Sequence, residues 1–235
     1  MASKLYLIPT LLGNDDFQRS LPAYNLSIVE SIQIFVVENE KSARKFIKTI
    51  LPEKKQSELE IHLLDKNTSG EELHELSKLF QRNQPIGILS EAGLPAVADP
   101  GARLVRLAHQ QSIQVVPLVG PSSILLALMA SGMNGQQFSF HGYLPIDKVE
   151  RKKAIQKLEA DSRKNRSTMI FMETPYRNNQ LLEDLVKICQ PNTSVCVAAN
   201  ITMEDEFILT LPIKEWSKKK TDFHKKPAIF ILESY

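Results

Sequence analysis

Up to residue 119 the chain alternates short, unbroken apolar runs with longer segments whose apolar residues recur every three or four positions. The runs at 5–8, 34–37, 59–64, 86–89 and 114–118 are rich in Val, Ile and Leu, the composition of strands buried on both faces. Between them, 42–51 puts Phe46, Ile47 and Ile50 on one helical face before Pro52. Residues 71–82 space Leu73, Leu76, Leu79 and Phe80 as a helix would, and 101–111 carries a stripe of Leu104, Val105 and Ala108. Repeated strand and helix units of this length predict a mostly parallel sheet.

The rhythm changes after residue 119. An apolar helix is predicted over 124–131, with Gly132 able to close it in a left-handed conformation. There follow a strand at 138–141, a highly charged helix at 148–158, a strand at 168–172 and a helix at 179–188 that Asn178 can cap. Of the last three strands, 195–199, 207–211 and 228–232, the first two are separated by seven residues, too few for a parallel crossover. The expected fold is therefore α/β with two α/β domains, 1–118 built on a mostly parallel sheet and 119–235 on a mixed one.

Chemistry concentrates where the predicted strands end. Residues 90–101 follow a strand with a loop of small residues, two prolines and two glycines, and Asp99-Pro100 has the look of a helix cap and first turn. Gly120-Pro121-Ser122-Ser123 repeats that grammar, and Pro9 to Asn14 precedes it with a turn of Pro, Gly and Asn. In open α/β sheets ligands bind beyond the carboxyl ends of the strands. The polar groups placed there are Asn14, Glu38, Ser90, Glu91, Asp99, Ser122, Ser123, Glu173 and Arg177. Each has an ordinary structural alternative: Asp99 and the serines as caps, Glu38 and Arg177 as partners of solvent or of each other.

Composition narrows the class of protein. A hydrophobic fraction of 43% and a charged fraction of 24% are those of a soluble globular chain. No apolar stretch approaches the roughly 18 residues of a membrane span, and no signal-peptide pattern follows the first apolar run. Cys189 and Cys196 fall in helix-like and strand-like segments, which favours structural thiols and a cytoplasmic protein. The net charge of +2 is unevenly spread: residues 1–140 hold 13 Lys and Arg against 14 Asp and Glu, residues 141–235 hold 16 against 13. Arg151-Lys152-Lys153, Arg163-Lys164-Asn165-Arg166, Lys218-Lys219-Lys220 and Lys225-Lys226 read first as solvated surface and, more sharply, as a rim facing phosphates. There is no Gly-x-Gly-x-x-Gly, no Walker loop and no Gly-x-Ser-x-Gly elbow, and the five histidines form no metal-ligand spacing with the cysteines.

Five motifs in order carry a resemblance over nearly the whole chain: Ile8-Pro9-Thr10-Leu11-Leu12-Gly13-Asn14, residues 90–101, Val116-Pro117-Leu118-Val119-Gly120-Pro121-Ser122-Ser123, Phe140-His141-Gly142-Tyr143-Leu144-Pro145, and Glu173-Thr174-Pro175-Tyr176-Arg177. Together they resemble the ribosomal small-subunit RNA ribose 2′-O-methyltransferases of the tetrapyrrole-methylase superfamily. The resemblance implies a homodimer that uses S-adenosylmethionine, releases S-adenosylhomocysteine and holds the cofactor in a cleft between two α/β domains. Matching positions imply cofactor contacts at Leu12, Glu91, Gly93, Leu94, Pro95, Val97, Ser122, Ser123, Met172, Ala199 and Pro227. If a ribose hydroxyl is the acceptor, Glu38 and Glu173 are the candidate proton acceptors and Arg177 the group that orients phosphate or acceptor. No metal is implied.

Departures from the family pattern fall on the acceptor side. Glu-Asp-Thr-Arg is here Glu38-Asn39-Glu40-Lys41, Glu-Ser-Pro-His-Arg is Glu173-Thr174-Pro175-Tyr176-Arg177, and Ala-Arg-Glu-Leu-Thr-Lys is Ala198-Ala199-Asn200-Ile201-Thr202-Met203. The chain ends at Tyr235, where longer members carry a further small domain. These readings favour ribosomal RNA as acceptor and leave open a tetrapyrrole or other small metabolite, or a non-catalytic RNA-binding homologue.

Overall fold

The computed structural model describes residues 3–13 and 16–235, so the strand-end Asn14 lies outside the described residues. The chain divides into two compact units, 1–122 and 123–235.

The first unit runs β1 (Lys4–Ile8), α1 (Phe17–Ser20), α2 (Ala23–Ser31), β2 (Ile34–Val37), α3 (Glu40–Ile50), β3 (Glu60–Leu63), α4 (Gly70–Ser77), β4 (Ile86–Leu89), α5 (Ala102–Gln110) and β5 (Gln114–Pro117). Its strands form one sheet in the order β3-β2-β4-β1-β5, every pairing parallel. The central runs Ile-Phe-Val-Val and Ile-Gly-Ile-Leu are buried at every position, because both faces are covered. Phe35, Val37 and Leu89 pack with Ile47 of α3 on one face. Ile34, Val36, Ile86 and Ile88 pack with Leu76 of α4 and Leu104 of α5 on the other. Since all five strands run the same way, their carboxyl ends form a single edge.

The second unit runs α6 (Ser123–Ser131), β6 (Phe138–Tyr143), α7 (Lys148–Asn165), β7 (Thr168–Met172), α8 (Asn178–Ile188), β8 (Ser194–Ala199), β9 (Phe207–Pro212), α9 (Ile213–Trp216) and β10 (Ala228–Glu233). The sheet order is β6-β7-β10-β8-β9, with β6 and β7 parallel and the other pairings antiparallel. Phe171 of β7 stacks on Phe230 of β10, and Ile155, Leu158, Leu181 and Leu185 from α7 and α8 complete that core. The carboxyl ends of β6, β7 and β8 and the amino ends of β9 and β10 consequently share one edge.

Several local expectations change. Asn178 is the first residue of α8, not its cap; its amide donates to the carbonyls of Phe223 (3.3 Å) and Lys226 (2.6 Å) and ties the helix start to the loop before β10. α5 is preceded by Gly101 instead of being capped by Asp99. α7 runs seven residues past the expected end, to Asn165, because the buried polar residues there have partners: Glu159 accepts from the Gln190 amide at 2.7 Å and from the Thr193 hydroxyl, and Ser162 accepts the Ser234 amide at 2.9 Å; within the expected span, Arg151 is buried and pairs with Asp184 at 2.7 Å. Arg151 is therefore a core residue and drops out of any phosphate-facing rim. Both cysteines are buried and unpaired, and burial pushes the Cys189 thiol up to about 12.

Candidate functional site

Three loops of the first unit are joined at the carboxyl edge. The Thr10 amide donates to the Gly93 carbonyl (3.0 Å), the Ser90 hydroxyl donates to the same carbonyl (2.9 Å), and the Thr10 hydroxyl reaches the Ser90 carbonyl (3.3 Å). Gly93 has a φ of +73°, and a side chain there would lie 3.0 Å from Leu12 and 3.2 Å from the Pro121 carbonyl. At Gly120 an added Cβ would sit 2.2 Å from Pro9, so the loop after β5 also closes only around a glycine. Ala96 and Ala98 are left-handed as well, at φ 65° and 57°, strain of the kind that persists where surrounding contacts hold it.

This edge carries Leu12, Glu91, Gly93, Leu94, Pro95, Val97 and Ser122. Gly93, Pro95 and Ser122 are buried, while Glu91 and Val97 are exposed. Ser123 opens α6 and belongs to the second unit.

A carboxylate cluster lies beside these loops. Asp99 Oδ1 accepts from the amides of Gly101 (2.6 Å) and Ala96 (3.1 Å), organising the loop itself, while its buried Oδ2 has no donor. Glu38, immediately after β2, faces Asp99 and accepts the Glu91 amide on Oε1 at 3.4 Å. Burial, then the hydrogen bond and charge of Asp99, push the Glu38 carboxyl up to about 7. Two carboxylates cannot hydrogen-bond to each other without a proton. The hydrogen bond between Glu38 and Asp99 therefore needs a proton, which burial and the Asp99 charge favour on Glu38.

At the corresponding edge of the second sheet, Met172, Ala199 and Pro227 come together. Met172 pairs with Ile229, Ala199 with Ala228, and the Asn200 amide donates to the Pro227 carbonyl at 2.9 Å. Glu173 is buried and accepts on Oε1 from the Thr174 amide (2.6 Å) and from Arg177 (2.5 Å). Tyr176 is 69% exposed and meets His224 edge to face at 5.8 Å. After β8, Asn200 (φ 51°) and the β-branched Thr202 (φ 74°) are both left-handed, and Thr202 Oγ1 is buried without a partner. Glu38 and Glu173, paired by their position after strands, thus have opposite surroundings.

The first unit also contains a cavity of about 430 Å³ between the first loop, α3 and Ser90-Glu91. Ser42 of α3 donates to Glu91 Oε1 across its wall at 2.5 Å.

The family model described as Tetrapyrrole (Corrin/Porphyrin) Methylases matches residues 4–216. The chain belongs to the tetrapyrrole methylase family. Ribosomal RNA small subunit methyltransferase I of Escherichia coli O157:H7 is 30% identical over 99% of this chain and 78% of its own length. The protein of the same name from Vibrio cholerae serotype O1 is 30% identical over 98% and 77%. Among solved structures, the methyltransferase CobJ superposes with a TM-score of 0.64 at 13% identity, covering 98% of this chain and 93% of that one, a likeness of fold.

As a tetrapyrrole methylase the chain is an S-adenosylmethionine-dependent methyltransferase. The first unit's edge fits that group: Ala92 and Ala98 are exposed and leave backbone accessible, and exposed Val97 and half-buried Leu94 offer apolar contact. Among the described residues no cluster of His, Cys, Asp or Glu is placed to hold a metal ion, and no helix is long and apolar enough to cross a membrane. Sequence reasoning missed two things. The link from Glu38 to Asp99, 61 positions apart, has no local signature. The α3 face bearing Ser42, Lys45 and Phe46 did have one, its helical spacing directly after Glu38.

Proposed function

We propose that this methylase transfers a methyl group to a ribose 2′-hydroxyl of ribosomal RNA, with Glu38 as the general base. The chemistry is carried by one observation, the Glu38 and Asp99 carboxyl pair beside the clasped small-residue loops. A carboxyl poised near 7 accepts a proton far more readily than an ordinary carboxylate and still ionises at working pH. The acceptor class is supported by the relatives named for small-subunit ribosomal RNA, matched over nearly the whole chain.

When bound, S-adenosylmethionine supplies an electrophilic methyl group and departs as S-adenosylhomocysteine. Leu12, Glu91, Gly93, Leu94, Pro95, Val97 and Ser122 are proposed to hold it on the first unit, and Ser123, Met172, Ala199 and Pro227 to be the contact positions of the second. Glu38 takes the hydroxyl proton as oxygen bonds to the methyl carbon. Glu173 is proposed to position Arg177 and not to act as base, because its Oε1 already accepts two donors. Arg177 then offers the remainder of its guanidinium to phosphate or acceptor. The working protein is proposed to be a cytoplasmic homodimer; light scattering of the purified protein tests the dimer, and fractionation of cells tests the location.

Tritiated methyl transfer into small-subunit RNA from cells lacking the enzyme, run beside a metabolite extract, tests the acceptor. Label in the RNA alone is expected; label confined to the metabolites would overturn the reading.

A further inference from the structure

Beside the carboxyl pair, α3 has a face that the assignments above leave unused. Ser42, Lys45, Phe46 and Thr49, at positions i, i+3, i+4 and i+7, line the 430 Å³ cavity together with Leu11 and Leu12 of the first loop. Phe46 is half-buried and packs against the core cluster around Phe35 and Ile47, so the ring is supported from within while it lines the cavity. Lys45 is exposed on the rim, and Lys41 and Lys48 are exposed on the same helix. None of the three makes an ion pair among the described residues, whereas Arg44 is tied to Glu40 at 2.8 Å. Glu91 links the cavity to the proposed base: its carboxylate accepts the Ser42 hydroxyl, and its amide donates to Glu38.

An aromatic wall, hydroxyls at the edge and an unpaired cation at the mouth are what an unstacked nucleotide requires. RNA-binding proteins read single-stranded segments by stacking splayed bases on aromatic rings and meeting the backbone with basic side chains. The volume also lies within the roughly 300–1,000 Å³ usual for small-ligand sites. We propose that this cavity takes the base of the acceptor nucleotide, stacked on Phe46 with Lys45 at its phosphate, and thereby presents the ribose to Glu38. The inference rests on RNA being the acceptor.

Titration of a short, labelled single-stranded RNA from the small ribosomal subunit into the cofactor-loaded protein tests it. S-adenosylhomocysteine binding by calorimetry serves as the control for fold and cofactor site. Phe46→Leu keeps an apolar side chain that fills most of the volume and removes the aromatic face; it is expected to weaken RNA binding roughly 5- to 150-fold, while Phe46→Tyr stays near wild type. Lys45→Ala is expected to lower the slope of log affinity against log salt by about one. Cofactor affinity stays unchanged in all three. Wild-type RNA affinity in Phe46→Leu would overturn the stacking inference and leave the RNA reading standing. Loss of cofactor and RNA affinity together would assign the ring to the fold instead. A wild-type protein with no salt-sensitive affinity for the RNA would remove both.

Discussion

Glu38 and Glu173 each follow the last residue of a central strand, β2 in one unit and β7 in the other, and the two edges treat them in opposite ways. Burial raises the proton affinity of Glu38, and the second carboxyl group beside it raises it further. Beside Glu173 stands a guanidinium, and the carboxylate is nearly inaccessible, with 1% of its side chain exposed. Burial together with a like-charged neighbour leaves a group that exchanges protons near neutrality. An opposite charge leaves a fixed ion pair that holds a loop. The contrast teaches that position after a strand selects candidates for chemistry, and neighbours contributed by distant sequence decide which of them can act.

Glu38→Gln should give the largest effect and tests the active side of that contrast. The carboxamide keeps a donor for Asp99 Oδ2 and cannot accept the proton, so kcat should fall by about 10²- to 10⁴-fold with little change in Tm. A variant that methylates at the wild-type rate would end the distinction between the two glutamates. Glu173→Ala tests the other side. It leaves Arg177 uncompensated in a partly buried setting and should cost about 2 kcal/mol of stability, below the usual loss for a fully buried pair because Arg177 retains 27% exposure. Thermal unfolding measures it; a stability loss smaller than that of Glu38→Gln would show that the ion pair does not hold the loop. Gly120→Ala asks whether the clasp of loops beside Glu38 is as rigid as the geometry implies. With Pro9 in the way, about 1–3 kcal/mol of destabilisation is expected, accompanied by weaker binding of S-adenosylhomocysteine.

Much of the architecture was readable in the pattern of apolar residues. The strand at 34–37 and those at 86–89 and 168–172 appear at the expected positions, since runs buried on both faces leave little ambiguity. α2 was missed because Ala23–Ser31 has no one-sided apolar stripe, and its buried residues include Asn25, which donates to the Val119 carbonyl at 2.7 Å. The second half of α7 was missed because Glu159 and Ser162 look like surface residues until their partners near Thr193 and Ser234 are seen. At the site, small residues announced the loops. Asp99 announced itself as a helix cap, but its two amide partners belong to the loop before the helix, and its other oxygen depends on Glu38. Such pairings are tertiary facts, and local spacing carries no trace of them.

The smallest expected effect, a displacement along the pH axis, gives the finest test of the comparison. Glu38 must be ionised to act as base, so activity should rise through about pH 7 and level off above it. Asp99→Asn removes a negative neighbour and supplies an amide donor, while its Oδ1 can still accept the loop amides. Both changes favour the carboxylate of Glu38, and the acid limb should move to lower pH by about one unit, because the larger cause, burial, remains. Stability follows with its own sign. A carboxyl whose folded value lies above its usual 4.5 binds its proton more tightly when folded, so its contribution is complete below 4.5 and is lost as pH rises through about 7. In Asp99→Asn that loss should occur over a narrower range. A rate profile that stays in place while this stability profile narrows would show that Glu38 titrates under the influence of residue 99 without serving as the base.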